Sequence, residues 1–176
     1  MDALLPQAYL IGLVVILGVA AVVVARQVWR VRSDEVTLAK LEQQGSGEPA
    51  SAATLYELGS AQLRKRLYGQ ATDSLKQALK RAQAEGEPGE ALALIENGLG
   101  FALAAQGNVK AAIPHYRKAL QAKADYPVAL NNLAFALEKQ FKLDEAQETY
   151  EKALSLDPSN KTARKRLAVL VRKTAA

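Results

Sequence analysis

The chain has no cysteine, and only one histidine, one methionine and one tryptophan, in 176 residues. Without thiols there is no disulfide framework and no thiolate chemistry. That suits a reducing compartment without requiring one. The single histidine, His115, has no cysteine or paired carboxylate near it in sequence, so a metal site is not expected and a solvated side chain is. The motifs that mark common catalytic machinery are missing too: no HExxH, no nucleophile elbow and no Gly-rich phosphate loop. Glu85-Gly86-Glu87-Pro88-Gly89 has the glycines, but no Lys-Ser/Thr follows and its carboxylates would repel phosphate. These absences point away from an enzyme and from any bound cofactor or metal.

Charge is also missing locally. From Ala3 to Ala25 no residue is charged, and Leu10 to Ala25 is almost wholly Leu, Ile, Val, Ala and Gly. Roughly 20 such residues span a bilayer as a helix. Tyr9 and Trp29 stand near the ends of the run, where amphipathic rings favour the headgroup region. A cleaved signal peptide would carry a basic n-region. Here Asp2 precedes the run and Arg26, Arg30 and Arg32 follow it, which favours a retained single-pass anchor. Those arginines hold the following chain on the cytoplasmic or stromal side. Gly12, Gly18 and Ala21 form no GxxxG and read as lipid-facing filler.

The anchor is placed at 1–27, with a juxtamembrane helix and hinge at 28–50. Ser33-Asp34-Glu35 resembles a helix start with acids in its first turn; the alternative is one unbroken helix leaving the bilayer. Either way Gly45-Ser46-Gly47-Glu48-Pro49 ends it as a short hinge.

Beyond residue 50 the chain repeats. Leu99, Ala112, Tyr116 and Ala119 return 34 residues later as Leu133, Ala146, Tyr150 and Ala153, the period and small-residue spacing of the tetratricopeptide helix-turn-helix. Three repeats fit, at 52–85, 93–126 and 127–160, within a block at 51–160. In the third, Leu130, Leu133, Ala134 and Leu137 make an i, i+3, i+4, i+7 stripe. Asp144 is a candidate N-cap for the second helix, and Asp157-Pro158 stops it. Ala134 and Ala146 belong where the two helices cross, and Ala153 where the next repeat packs.

The second repeat carries Pro114 early in its second helix, where a missing amide is close to harmless. The first has Gln62 at an apolar position, with Leu63 beside it to compensate. An insertion at 86–92 lengthens the helices it joins, with Gly86-Glu87-Pro88-Gly89 as the turn. At 161–176 a further first-type helix, with Leu167, Ala168 and Val171 in repeat-like places, caps the stack. The expected fold is all-α: an N-terminal transmembrane helix, then a tetratricopeptide-repeat α-solenoid of three repeats plus a C-terminal capping helix, right-handed with one concave face.

The exposed side of each first helix would face the groove. The register assigns Tyr56, Ser60, Leu63 and Arg64; Asn97, Phe101 and Ala104; Asn131, Phe135, Glu138 and Lys139; then Lys165 and Val169. Phe101 and Phe135 are one repeat apart and either anchor a partner or pack between neighbouring helices. The basic C-terminus, including Arg164, Lys165 and Arg166, could meet anionic lipid or nucleic acid. Cations in a last helix also favour its dipole and solubility, so no nucleic-acid partner is expected.

The layout resembles a narrower family, the small thylakoid-anchored tetratricopeptide proteins that assist photosystem I assembly in cyanobacteria and plastids. The residues that carry this are Tyr56-Glu57-Leu58-Gly59-Ser60, Leu67-Tyr68 before Ala71, the insertion before the second repeat, Leu99-Gly100-Phe101, and Ala129-Leu130-Asn131-Asn132-Leu133. The N-terminal span and the basic helix after Asp157-Pro158 complete the order. The resemblance implies a non-enzymatic thylakoid factor whose protein clients are photosystem I subunits or assembly intermediates. A general bacterial inner-membrane adaptor, in envelope assembly or secretion, is the alternative. Chaperone-tail receptors that clamp a C-terminal carboxylate are less similar, because Tyr56 and Ser60 stand where their Lys and Asn would be.

Overall fold

The computed structural model describes residues 4–45 and 50–174, and among these there are eight helices and no strand. They are α1 (Leu4–Gly45), α2 (Ala52–Arg64), α3 (Tyr68–Glu85), α4 (Gly89–Ala105), α5 (Val109–Ala122), α6 (Pro127–Lys139), α7 (Leu143–Leu156) and α8 (Lys161–Thr174). The chain divides after residue 40 into two compact units.

The first unit is the long part of α1. Leu10–Trp29 is 20 residues of apolar helix with none of it buried. Its large side chains are between 55% and 74% exposed, an arrangement that water disfavours by about 1.5–3 kcal/mol for each Val, Leu or Ile left unburied. By length and composition it can cross a bilayer. The helix runs through Ser33–Glu35 without a break, so no separate helix starts there; Ser33 and Asp34 are interior residues and the unbroken alternative is the one formed. Helical hydrogen bonding already in progress leaves no free amides for Ser33 to cap. Of the expected hinge, Gly45 is the last residue of α1, and 46–49 lie outside the described residues.

The second unit stacks α2–α8, each helix packed on the next. α2 and α3, α4 and α5, and α6 and α7 form three helical hairpins. First helices of successive hairpins also touch, α2 with α4 and α4 with α6. The hairpins close on small residues. Ala71, Ala112 and Ala146 are fully buried at one helix crossing; Ala78, Ala119 and Ala153 are fully buried where the next hairpin packs. Opposite them, Gly59 faces Leu75 and Gly100 faces Tyr116, at distances a Cβ could not share. Ala134 and Tyr150, both fully buried, are the equivalent pair in the third hairpin.

Local signals explain most boundaries. Ser51 caps α2 by accepting a bond from the Thr54 amide at 3.1 Å, and Asn108 caps α5 through the Ala111 amide at 3.3 Å. Gly86 ends α3 in a left-handed conformation, φ 67°, which glycine enters without a Cβ penalty. The insertion lengthens α3 and α4 to 18 and 17 residues, against 14 and 13 for α5 and α6. α7 stops at Leu156 before Asp157-Pro158. The hairpin turns place Arg66 (φ 61°), Gly107 (φ 86°) and Phe141 (φ 58°) at equivalent left-handed positions; at the two without glycine this costs about 1–2 kcal/mol each.

Three local expectations are corrected. α7 begins at Leu143 with Lys142 as the cap residue and no side-chain bond, so Asp144 sits in the first turn, where its charge opposes the dipole's positive end. Pro114 lies inside α5, past the four amides that are free at a helix start; its ring removes one real helix bond. In α8 the buried residues are Ala163 and Leu170, while Ala168 is exposed and Val171 is 44% exposed. Ala163 and Leu170 stand where α6 has the buried Ala129 and Ala136, so α8 keeps the repeat register; with no second helix packed over it among the described residues, only its face toward the third hairpin is covered. Gln62 is buried at 5% exposure, its Oε1 without a hydrogen-bond donor among the described residues, and Leu63 packs on the adjacent core as expected.

A Cβ at Gly100 would lie 2.7 Å from Tyr116 Cε1 and 3.2 Å from the Ala112 carbonyl. We therefore expect Gly100→Ala to lower unfolding free energy by about 1–3 kcal/mol through overpacking, less the helix-propensity gain of about 1 kcal/mol. Urea denaturation followed by circular dichroism measures it; an unchanged or higher midpoint would show that the crossing relaxes.

Candidate protein-binding groove

The first helices α2, α4 and α6 lie side by side, so residues at matching positions form rows across them. Tyr56, Asn97 and Asn131 make one row, Ser60, Phe101 and Phe135 the next. Tyr56, Ser60, Asn97, Asn131, Phe135 and Glu138 are partly buried, whereas Arg64, Phe101 and Lys139 are exposed. Leu63 and Ala104 are partly buried, Lys165 and Val169 exposed.

The Asn row is a hydrogen-bonded device that links hairpins. Asn97 Nδ2 donates to Tyr126 Oη at 3.3 Å, and one repeat later Asn131 Nδ2 donates to Asn160 Oδ1 at 3.2 Å. Both bonds join a first helix to the residue or two just before the next first helix. Asn132 Nδ2 donates to Asn97 Oδ1 at 3.0 Å, tying α6 to α4. Asn160 Oδ1 also accepts from the Ala163 amide at 3.0 Å, so one side chain starts α8 and holds α6. Neither Tyr126 nor Asn160 was legible as a partner, since the pairing is 29 residues distant in both cases.

The two phenylalanines part company. Phe101 is 43% exposed. Phe135 is covered by cations of the chain itself: the Arg166 guanidinium carbon is 4.6 Å and Lys139 Nζ 5.4 Å from the ring centroid. Arg166 also reaches Glu138 at 3.6 Å, and the Tyr150 hydroxyl donates to the same carboxylate at 3.5 Å. So Phe101 is open to a visitor and Phe135 is engaged at the capping helix. At the other end, Ala52, Ala53, Tyr56, Ala91, Leu94 and Ile95 line an apolar cleft of about 120 Å³ between α2 and α4.

Away from these rows, His115 is not a solvated side chain. Its Nδ1 lies 2.6 Å from Glu96 Oε2, and Lys118 Nζ lies 3.9 Å from Oε1. Glu96 is 4% exposed, and burying a carboxylate demands such partners. The available clue was Glu96 itself, a charge on the stripe formed by Leu92, Leu99 and Leu103. No cluster of metal-ligating side chains occurs among the described residues.

Burial raises the phenol pKa values of Tyr116 and Tyr150 well above the ordinary 10.0. Tyr126 is raised as well, by burial first and then by the neighbouring Tyr56, against the lowering effect of its bond from Asn97.

Comparison with known proteins agrees with this geometry. Residues 50–125 and 127–160 match two family models, each described as a tetratricopeptide repeat. The uncharacterized protein ycf37 of Guillardia theta is 32% identical over 97% of this chain and 94% of its own. The tetratricopeptide repeat domain-containing protein PYG7, chloroplastic, of Arabidopsis thaliana is 33% identical over 90% of this chain and 52% of its own, so the chain spans about half of that protein. Among solved structures, MamA superposes with a TM-score of 0.71 at 22% identity, covering 83% of this chain and 82% of that one. The first tetratricopeptide domain of Spaghetti (RPAP3), bound to an HSP90 peptide, gives 0.65 at 20% identity, covering 72% and 94%. At those identities the likeness is one of fold.

The buried phenols set an alkaline limit. Below the ordinary phenol pKa of 10.0 both states keep the proton and the stabilisation is complete. As pH rises past it the unfolded chain ionises first, so stability falls from about pH 10 upward. Urea midpoints measured across that range should decline in the parent chain and decline less in Tyr116→Phe. Equal slopes would show that the phenol does not report burial.

Proposed function

The chain belongs to the tetratricopeptide-repeat proteins of the ycf37 kind, and on that premise we propose a membrane-anchored, non-enzymatic scaffold that holds protein clients and supports photosystem I assembly or stability. The observation that supports it is similarity over 97% of the chain to ycf37 and over 90% of it to a chloroplastic tetratricopeptide protein. The site is the thylakoid membrane, with Leu10–Trp29 as the single span and the repeats on the cytoplasmic or stromal side. Photosystem I subunits or assembly intermediates are the clients.

The physics favours a weak, local grip. Tyr56, Phe101 and the amides of the Asn row offer apolar area and hydrogen bonds, with Arg64, Glu138 and Lys139 at the margin. Anchoring to the membrane that holds the client raises effective concentration, so modest contacts suffice. Phe101 is the residue with most to gain, because an exposed aromatic covered by a partner concentrates binding energy.

Two measurements test this. In a phototroph, deletion of the gene is expected to lower photosystem I content relative to photosystem II, most under light stress; normal content in all conditions would overturn the photosystem reading and leave the general inner-membrane adaptor. In membranes solubilised with mild detergent, Phe101→Ala combined with Tyr56→Ala is expected to reduce co-purified client by about tenfold or more with helicity unchanged. Full retention of client would remove the groove from the proposal.

A further inference from the structure

Stacked hairpins give the repeat domain two edges. The turns inside hairpins, at 65–67, 106–108 and 140–142, lie on one; the connections between hairpins, at 86–88, 123–126 and 157–160, lie on the other. α8 runs in the direction of a first helix, so its C-terminal end belongs to the first edge. The two edges differ in charge balance, the turn edge being the more basic. Arg64, Lys65, Arg66, Lys110, Lys139 and Arg172 stand at the turn edge. Its acids are confined to the third hairpin, where Glu145 is paired with Arg117 at 2.9 Å and Lys142 at 3.2 Å, with Asp144 beside it. The connection edge is mixed: it carries Glu85, Glu87, Glu90, Asp125 and Asp157, together with Lys123 bonded to Glu90, Lys161 at the start of α8 and Arg164 bonded to the Pro158 carbonyl.

Apolar side chains project at both edges, Val128 (53% exposed) and Leu156 (43%) at the connections, but the largest projection is at the turn edge. Phe141 is 88% exposed, the most exposed of the large hydrophobic residues described, and Leu67 is 38% exposed in the equivalent turn of the first hairpin. Phe141 occupies a left-handed position, φ 58°, where the second hairpin has Gly107. Within the domain this aromatic is neither packed nor conformationally favoured. Its placement makes sense for something outside.

Cations interleaved with projecting apolar side chains match an anionic bilayer surface, which attracts Lys and Arg and admits Phe and Leu at the acyl boundary. We propose that the turn edge is a lipid-docking surface for anionic phospholipid, with Phe141 and Leu67 as its insertion points. The proximity part of the argument rests on the anchored reading: a span in the same chain keeps a bilayer at high effective concentration. Phe101 and the Asn row lie along the first helices rather than at the turns, so docking leaves them open.

The absence of cysteine makes the test direct, because each introduced thiol is unique. Full-length chains carrying Gln140→Cys (turn edge), Ala124→Cys (connection edge) or Val15→Cys (span) are spin-labelled and placed in nanodiscs. One set is phosphatidylcholine alone; the other contains phosphatidylglycerol. Power saturation compares access by oxygen with access by a water-soluble nickel chelate. The expected result is loss of nickel access at 140 in phosphatidylglycerol discs only, with 124 remaining in water in both. Arg66→Glu with Lys139→Glu, or Phe141→Ser, is expected to restore nickel access at 140, and so is high salt; circular dichroism checks that these variants keep the parent helicity. A label at 140 that stays in water while the Val15 label is lipid-embedded overturns the docking edge and spares the anchor. A label at 15 in water with one at 140 in lipid overturns the anchor and supports the edge. Both in water overturns both.

Discussion

Close approach of two helices at a residue with little or no side chain is the constraint on which the repeat domain depends. Gly59, Gly100 and Ala134 each face a large residue of the second helix, Leu75, Tyr116 and Tyr150. A bulky side chain fits there only because its opposite number has almost none. Close packing of this kind resists changes of one methyl group, so the crossing sets the geometry of each hairpin. Repeated, it puts the three first helices side by side, and the proposed client groove follows from that row.

Stacking apolar hairpins alone would leave the rotation of one against the next weakly defined, since burial is non-directional. The polar side chains supply direction. Asn97 with Tyr126, Asn131 with Asn160, and Asn132 with Asn97 connect successive hairpins, and hydrogen bonds tolerate little error in distance or angle. The buried Glu96, held by His115 and Lys118, adds an electrostatic tie between α4 and α5. These groups leave Phe101 open while Arg166 and Lys139 cover Phe135. The candidate surface is therefore asymmetric, more open at its middle than at its capped end.

The hairpins were readable because their signals are local. The apolar stripes within each helix, Asp157-Pro158 and the Gly86–Gly89 turn act over a few residues, and the observed helices follow them. The misreadings also have local causes. Asp144 resembles a cap by residue type, yet the cap position falls two residues earlier, at Lys142. Pro114 does lie in the first half of α5, but the helix starts at Val109, so the proline falls past the free amides. Ser33-Asp34-Glu35 has the composition of a helix start, but composition does not reveal that a helix is already under way.

By itself the sequence determined that the chain is helical, that one apolar segment stands apart from a polar repeat block, and which side of each hairpin helix is buried. Those properties depend on spacing along one helix and on transfer from water, both of which are legible without a fold. Only the tertiary structure decided that Glu96 is buried against His115, that Tyr126 and Asn160 hold the Asn row, and that Phe101 and Phe135 have different surroundings. It also left Ala168 and Val171 of α8 uncovered and put Phe141 out at an edge. Each of these depends on what a distant segment places nearby, and periodicity carries no information about that.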